Sequence, residues 1–88
     1  MIDVKRAIAN AKQFLEDIYG RGVMQIESPF QLEEVEKSDD GRYWYVTFSF
    51  MKKDISPLAT DMLVRQYKIV KVDSETGESL SIKMREFV

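Results

Sequence analysis

Apolar residues along this 88-residue chain recur first every three or four positions and then every second position, so one helix followed by a sheet is expected. Across residues 3–19, Val4, Ala7, Ile8, Ala11, Phe14, Leu15 and Ile18 form a single helical face. Lys5, Arg6, Asn10, Lys12, Gln13, Glu16 and Asp17 fall mostly opposite it. Asp3 stands where an N-cap belongs, and Ile2 before it is placed to staple against Ala7. Gly20 suits the left-handed position that ends a helix, and Gly22 turns the chain. Alanines at 7 and 11 narrow the face and let a neighbouring element approach closely.

Beyond a connector ending near Pro29 the period is two, and strands are predicted over 30–37, 42–51, 62–72 and 79–86. In the first strand Phe30 and Leu32 alternate with Gln31 and Glu33, and then Val35 falls out of phase. A bulge near Glu33-Glu34 restores the register. Ser38-Asp39-Asp40-Gly41 is a hairpin signal, since Asp-Gly tolerates the positive φ that tight turns need. In the second strand Trp44, Val46, Phe48 and Phe50 share the face expected to pack on the helix. Tyr43, Tyr45, Thr47, Ser49 and Met51 share the other. Residues 52–61, with Ser56-Pro57, are predicted as a loop. The third strand sets Tyr67 and Ile69 against Val70 and Val72, which demands a further bulge or burial on both faces. Asp73 to Glu78 forms a second hairpin turn with Gly77 left-handed. Leu80, Ile82 and Met84 then alternate inward in the last strand, completing the predicted core. The whole is an α+β, α-β-β-β-β domain spanning 1–88, with the helix across one face of a curved four-stranded antiparallel sheet, the cystatin-like arrangement.

Composition narrows the chemistry. The chain has no histidine and no cysteine, which removes nucleophile–histidine pairs, thiol chemistry and the usual zinc sites. Hydrophobic and charged fractions of 44% and 32% suit a folded soluble domain. The lack of cysteine fits a reducing compartment, and neither a signal-like apolar stretch nor a run of membrane length is found, so a cytoplasmic protein without a membrane span is expected. A net charge of −2 conceals a division: residues 23–41 hold six acids against one base, residues 42–72 six bases against two acids.

The segment Tyr67-Lys68-Ile69-Val70-Lys71-Val72-Asp73-Ser74-Glu75-Thr76-Gly77-Glu78-Ser79-Leu80 resembles the signature hairpin of the PepSY family. Its marks are a strand ending in Val-Asp, a short turn ending in Thr-Gly-Glu, and a following strand. The resemblance implies a helix-plus-sheet module that works by binding, as propeptide or inhibitory modules beside proteases do. Asp73, Thr76 and Gly77, which carry it, are also the residues that the turn itself requires.

Candidate chemistry is thin elsewhere. Glu33, Glu34, Glu36, Asp39 and Asp40 cluster in sequence, but on a strand and in a turn they are expected to stay solvated rather than serve as paired catalytic carboxylates. Asp73, Ser74, Glu75 and Glu78 offer oxygens without the spacing of a calcium loop, and no metal or cofactor is expected. Gly20-Arg21-Gly22 follows a helix, where a phosphate loop precedes one. Arg42, Lys52, Lys53, Arg65 and Lys68 beside Tyr43 and Tyr45 could serve nucleic acid, which the overall acidity disfavours.

A protein surface fits better: Tyr43, Tyr45, Thr47, Met51, Lys52, Lys53 and Tyr67 form a candidate patch of tyrosine, methionine and lysine. The same tyrosines could instead merely cover one another as cross-strand pairs. A non-catalytic binding or inhibitory module, engaging a protein partner or a second copy of itself, is the expected function. The alternatives are a small-ligand protein or enzyme with a pocket between helix and sheet, and a subunit of a larger assembly.

Overall fold

The computed structural model describes residues 1–19, 30–54 and 62–84, with side chains described outside 52–54 and 62–64. Helix α1 spans Val4–Tyr19, and four strands follow: β1 (Gln31–Lys37), β2 (Tyr43–Asp54), β3 (Met62–Asp73) and β4 (Ser79–Met84). They form one antiparallel sheet in the order β1-β2-β3-β4. The α+β, α-β-β-β-β arrangement is the one expected. Gly20, Gly22, the connector to Pro29, the Ser56-Pro57 segment and the predicted end of the last strand lie outside the described residues.

The helix begins as its sequence dictates. The Asp3 carboxylate accepts the Arg6 amide at 2.8 Å, and the Asp3 carbonyl accepts the Ala7 amide at 3.0 Å. α1 packs on β2, β3 and β4. Ala7, Ala11 and Leu15, one turn apart, are fully buried against Val46, Phe48, Val70 and Val72. The two alanines place only a methyl group each between helix and sheet, so the backbones approach closely. Ile2, Ile8, Phe14, Tyr19, Phe30, Val35, Trp44 and Ile82 pack around that centre. Phe50 closes one end, its ring 5.3 Å from Phe30 edge-on and 5.9 Å from Tyr19. Val4 and Ile18, expected on the buried face, are exposed. Both lie in that stripe by period but in the first and last turns, beyond the closest approach of helix and sheet.

Three expectations about the strands need correction or choice. The bulge expected in the first strand is present: Leu32 pairs with Phe48 and Glu34 with Thr47, leaving Glu33 extra. In β3 the alternatives resolve to burial on both faces, because pairing with β2 runs unbroken from Tyr43↔Asp73 to Asp54↔Met62. That pairing also carries strand through 52–54, where a loop was expected. The second bulge falls in β4 instead, since Lys71 pairs with Ser81 but Val72 with Ser79. Leu80 is the extra residue and is 45% exposed, not in the core; Met84, at the strand end, is 61% exposed. Ile82 alone of that predicted trio packs inward.

Both hairpin turns meet the chain start at one end of the sheet. Gly41 and Gly77 take φ of 74° and 79°. The fully buried Ser74 ties these pieces together. Its amide donates to the Arg42 carbonyl at 2.9 Å, its hydroxyl to the Gly41 carbonyl at 2.8 Å, and its carbonyl accepts the Ile2 amide at 2.7 Å. The helix joins through Asn10, whose side-chain amide donates to the Gly77 carbonyl at 2.9 Å.

Candidate functional site

Strand pairing and the two-residue alternation of side chains place Tyr43, Tyr45, Thr47, Ser49 and Met51 on the sheet face turned away from α1. Opposite them on β3 stand Asp73, Lys71, Ile69, Tyr67 and Arg65. Among the described residues, two complete rows cross all four strands of this outer face. One reads Glu34, Thr47, Ile69, Lys83; the next reads Glu36, Tyr45, Lys71, Ser81. The acidic stretch seen in the sequence therefore supplies the β1 side of this surface, and Lys71 of the basic stretch, joined by Lys83, supplies the β3–β4 side.

The structure brings most of the predicted surface residues together, though not as equals. Tyr43, Tyr45, Tyr67 and Met51 are half-buried. The Tyr43 ring is covered by the Lys71 ammonium, 4.0 Å from its centroid, with the Arg42 guanidinium at 5.8 Å. Thr47, only 2% exposed, is a floor to this surface and not a projecting contact. Lys52 and Lys53 continue β2 opposite Val64 and Leu63, with side chains outside the described residues.

A groove of about 520 Å³ opens over this floor, with Glu34, Glu36 and Asp39 along one side and Tyr45, Thr47 and Ile69 beneath. Further along the face the fully buried Ser49 hydroxyl donates to the Glu33 carboxylate at 2.7 Å and accepts from the Arg65 guanidinium at 2.8 Å. This bridge seals the centre of the sheet under two charged side chains. Period alone could not reveal it, because Ser49 reads as an ordinary solvent-facing position and its partners come from two other strands. The bulge makes the contact accessible to Glu33, whose neighbours in β1 alternate normally.

The turn residues that carry the hairpin signature have structural work. The Asp73 carboxylate accepts the Glu75 and Thr76 amides at 2.8 and 3.1 Å, and the Thr76 hydroxyl accepts the Glu78 amide at 3.2 Å. Those two amides hold the Asp73 carboxyl below the usual aspartate range. Asp40 is lowered as well, first by the Ser38 hydroxyl at 2.6 Å and then by the Arg42 amide at 3.0 Å. Among the described residues, no three acidic side chains converge in a metal-binding group. No helix among them is long and apolar enough to cross a membrane. Set against known proteins, the chain matches no family model, no curated protein and no solved structure.

Proposed function

We propose that the chain is a small non-catalytic binding module of PepSY-like type, inhibitory in character, which engages protein through the outer face of its sheet. The observation that carries this reading is the composition of that face: Tyr43, Tyr45, Tyr67, Ile69 and Met51 stand half-buried there while α1 packs on the opposite side. Rigid aromatic rings bury area on association at low entropic cost, a flexible methionine adapts to the partner's shape, and acids and bases at the rim orient the partner.

Acid–base catalysis is poorly supported by the same groups. A general acid at neutral pH needs a raised carboxyl pKa, whereas Asp40 and Asp73 are shifted down by hydrogen bonds that hold them ionised. The test is a tagged Tyr43→Ser/Tyr45→Ser variant, compared with wild type for recovery of bound protein from native extract and for melting temperature. Loss of the bound protein with the melting temperature nearly kept is expected. Recovery equal to wild type overturns the reading.

A further inference from the structure

We infer that the occupant of the outer face is a second copy of this chain, seated face to face with its β1 over the first copy's β4. This rests on the reading of that face as a binding surface and adds the identity of the partner. Two sheets that pack through one face lie about 10 Å apart, and a two-fold axis relating them must run between them, in the plane of contact. With the strands of the two sheets aligned, two directions are open. An axis across the strands sets β1 over β1, so that the acidic Glu34–Glu36 edge meets the same edge of the copy. An axis along the strands, between β2 and β3, exchanges β1 with β4 and β2 with β3. Like charges face to face disfavour the first.

The second makes each cross-sheet row complementary to itself. Row Glu34, Thr47, Ile69, Lys83 lies reversed on its own copy, so that Glu34 meets Lys83 and Ile69 comes down over the Thr47 floor. Row Glu36, Tyr45, Lys71, Ser81 brings Tyr45 to Lys71 and Glu36 to the Ser81 hydroxyl. The groove lined by Glu34, Glu36, Tyr45, Thr47 and Ile69 then receives Ile69 and Lys83 of the second copy. Aligned sheets cross at about 30°, which displaces groups about 7 Å from the axis by about 4 Å, within the reach of a lysine side chain. A face four strands wide and six or seven residues long covers roughly 400 Å² in plan. An area of that order belongs to weak, reversible association, so the dimer forms with rising concentration.

The experiment is sedimentation equilibrium from micromolar to millimolar chain, for wild type, Glu34→Lys, Lys83→Glu, their equimolar mixture, and the double variant E34K/K83E. Both sites are exposed in the single chain, and circular dichroism confirms that each variant is folded. Each single variant places two like-charged pairs in the homodimer and weakens association about tenfold or more. The mixture and the double variant each recover two opposite-charged pairs and associate as wild type does. Wild type that stays monomeric throughout, or a double variant as dissociated as the singles, overturns the proposal. If wild type stays monomeric while Tyr43→Ser/Tyr45→Ser still loses a bound protein, self-pairing falls and the binding reading stands. If the charge variants and Tyr43→Ser/Tyr45→Ser all self-associate as wild type does, the contact lies off this face and self-pairing through it falls.

Discussion

Replacing Gly77 with alanine tests how the helix is joined to the β3–β4 turn, and Gly41 supplies the matched control. Both glycines have nearly the same positive φ, 79° and 74°. Alanine in that region costs about 1 kcal/mol once the reduced freedom of the unfolded chain is set against the left-handed strain. At Gly41 little is added, since a new Cβ would meet only the Lys37 Cε at 3.8 Å. At Gly77 the same atom would stand 2.8 Å from the Asn10 amide nitrogen and 3.4 Å from Ile2 Cγ2. Asn10 can retreat only by giving up its 2.9 Å bond to the Gly77 carbonyl, which adds about 1 kcal/mol. Gly77→Ala therefore loses about 2 kcal/mol and Gly41→Ala about 1 kcal/mol. For a domain of this size that is a fall in Tm of roughly 10 °C against roughly 5 °C. Urea titrations followed by circular dichroism give both values. In an Asn10→Ala background the extra loss at position 77 disappears, leaving the two glycines alike. Equal losses for G77A and G41A in the wild-type background, or an undiminished loss beside N10A, would refute the packing of Asn10 on the turn.

Asp40 and Asp73 have carboxyl groups lowered in the fold, so their contribution to stability is whole above the ordinary aspartate pKa of about 3.9 and is lost as pH falls through the lower folded values. Urea midpoints should hold steady from neutral pH to about 4 and then fall, and Asp73→Asn should lessen the fall; an equally steep drop in that variant contradicts the assignment. Ser49→Ala severs the bonds to Glu33 and Arg65 together and should cost about 1–2 kcal/mol, measured by the same titration. The Trp44 indole nitrogen is buried without a hydrogen-bond partner among the described residues. Trp44→Phe removes that unmet donor, which offsets the packing lost with the smaller ring, so its loss of stability should stay under about 1 kcal/mol; a loss above about 2 kcal/mol contradicts that offset.

Periodicity exposes what repeats, and this fold repeats in most places. The switch from Val4–Ile18 spacing to the Trp44–Phe50 alternation separates helix from sheet, and Val35 out of phase marks the bulge at Glu33. Asp40-Gly41 and the Asp73–Gly77 turn are legible because few other residues tolerate those dihedrals. Leu80 is not legible: Leu80, Ile82 and Met84 keep a perfect alternation, yet the backbone spends an extra residue there. Ser79, facing the Asn10 carbonyl at 3.5 Å, takes the inward place beneath the helix instead. Ser49 and Ser74 are equally hidden, since each is buried by partners distant in sequence, and a serine carries the same signal whether solvated or enclosed. The outer face was legible as a list of tyrosines and charges; the register of four strands was needed to order them into self-complementary rows.

Lysine acetylation footprinting, read by mass spectrometry on the chain in native complexes and on the dilute free chain, tests the central claim most directly. Lys71 and Lys83 mark the outer face of the sheet, and the exposed Lys5 and Lys12 mark the helix. Use of the outer face predicts protection of Lys71 and Lys83 with Lys5 and Lys12 as reactive as in the free chain. Protection of Lys5 and Lys12 with Lys71 and Lys83 unchanged would place the working surface on the helix and contradict the account.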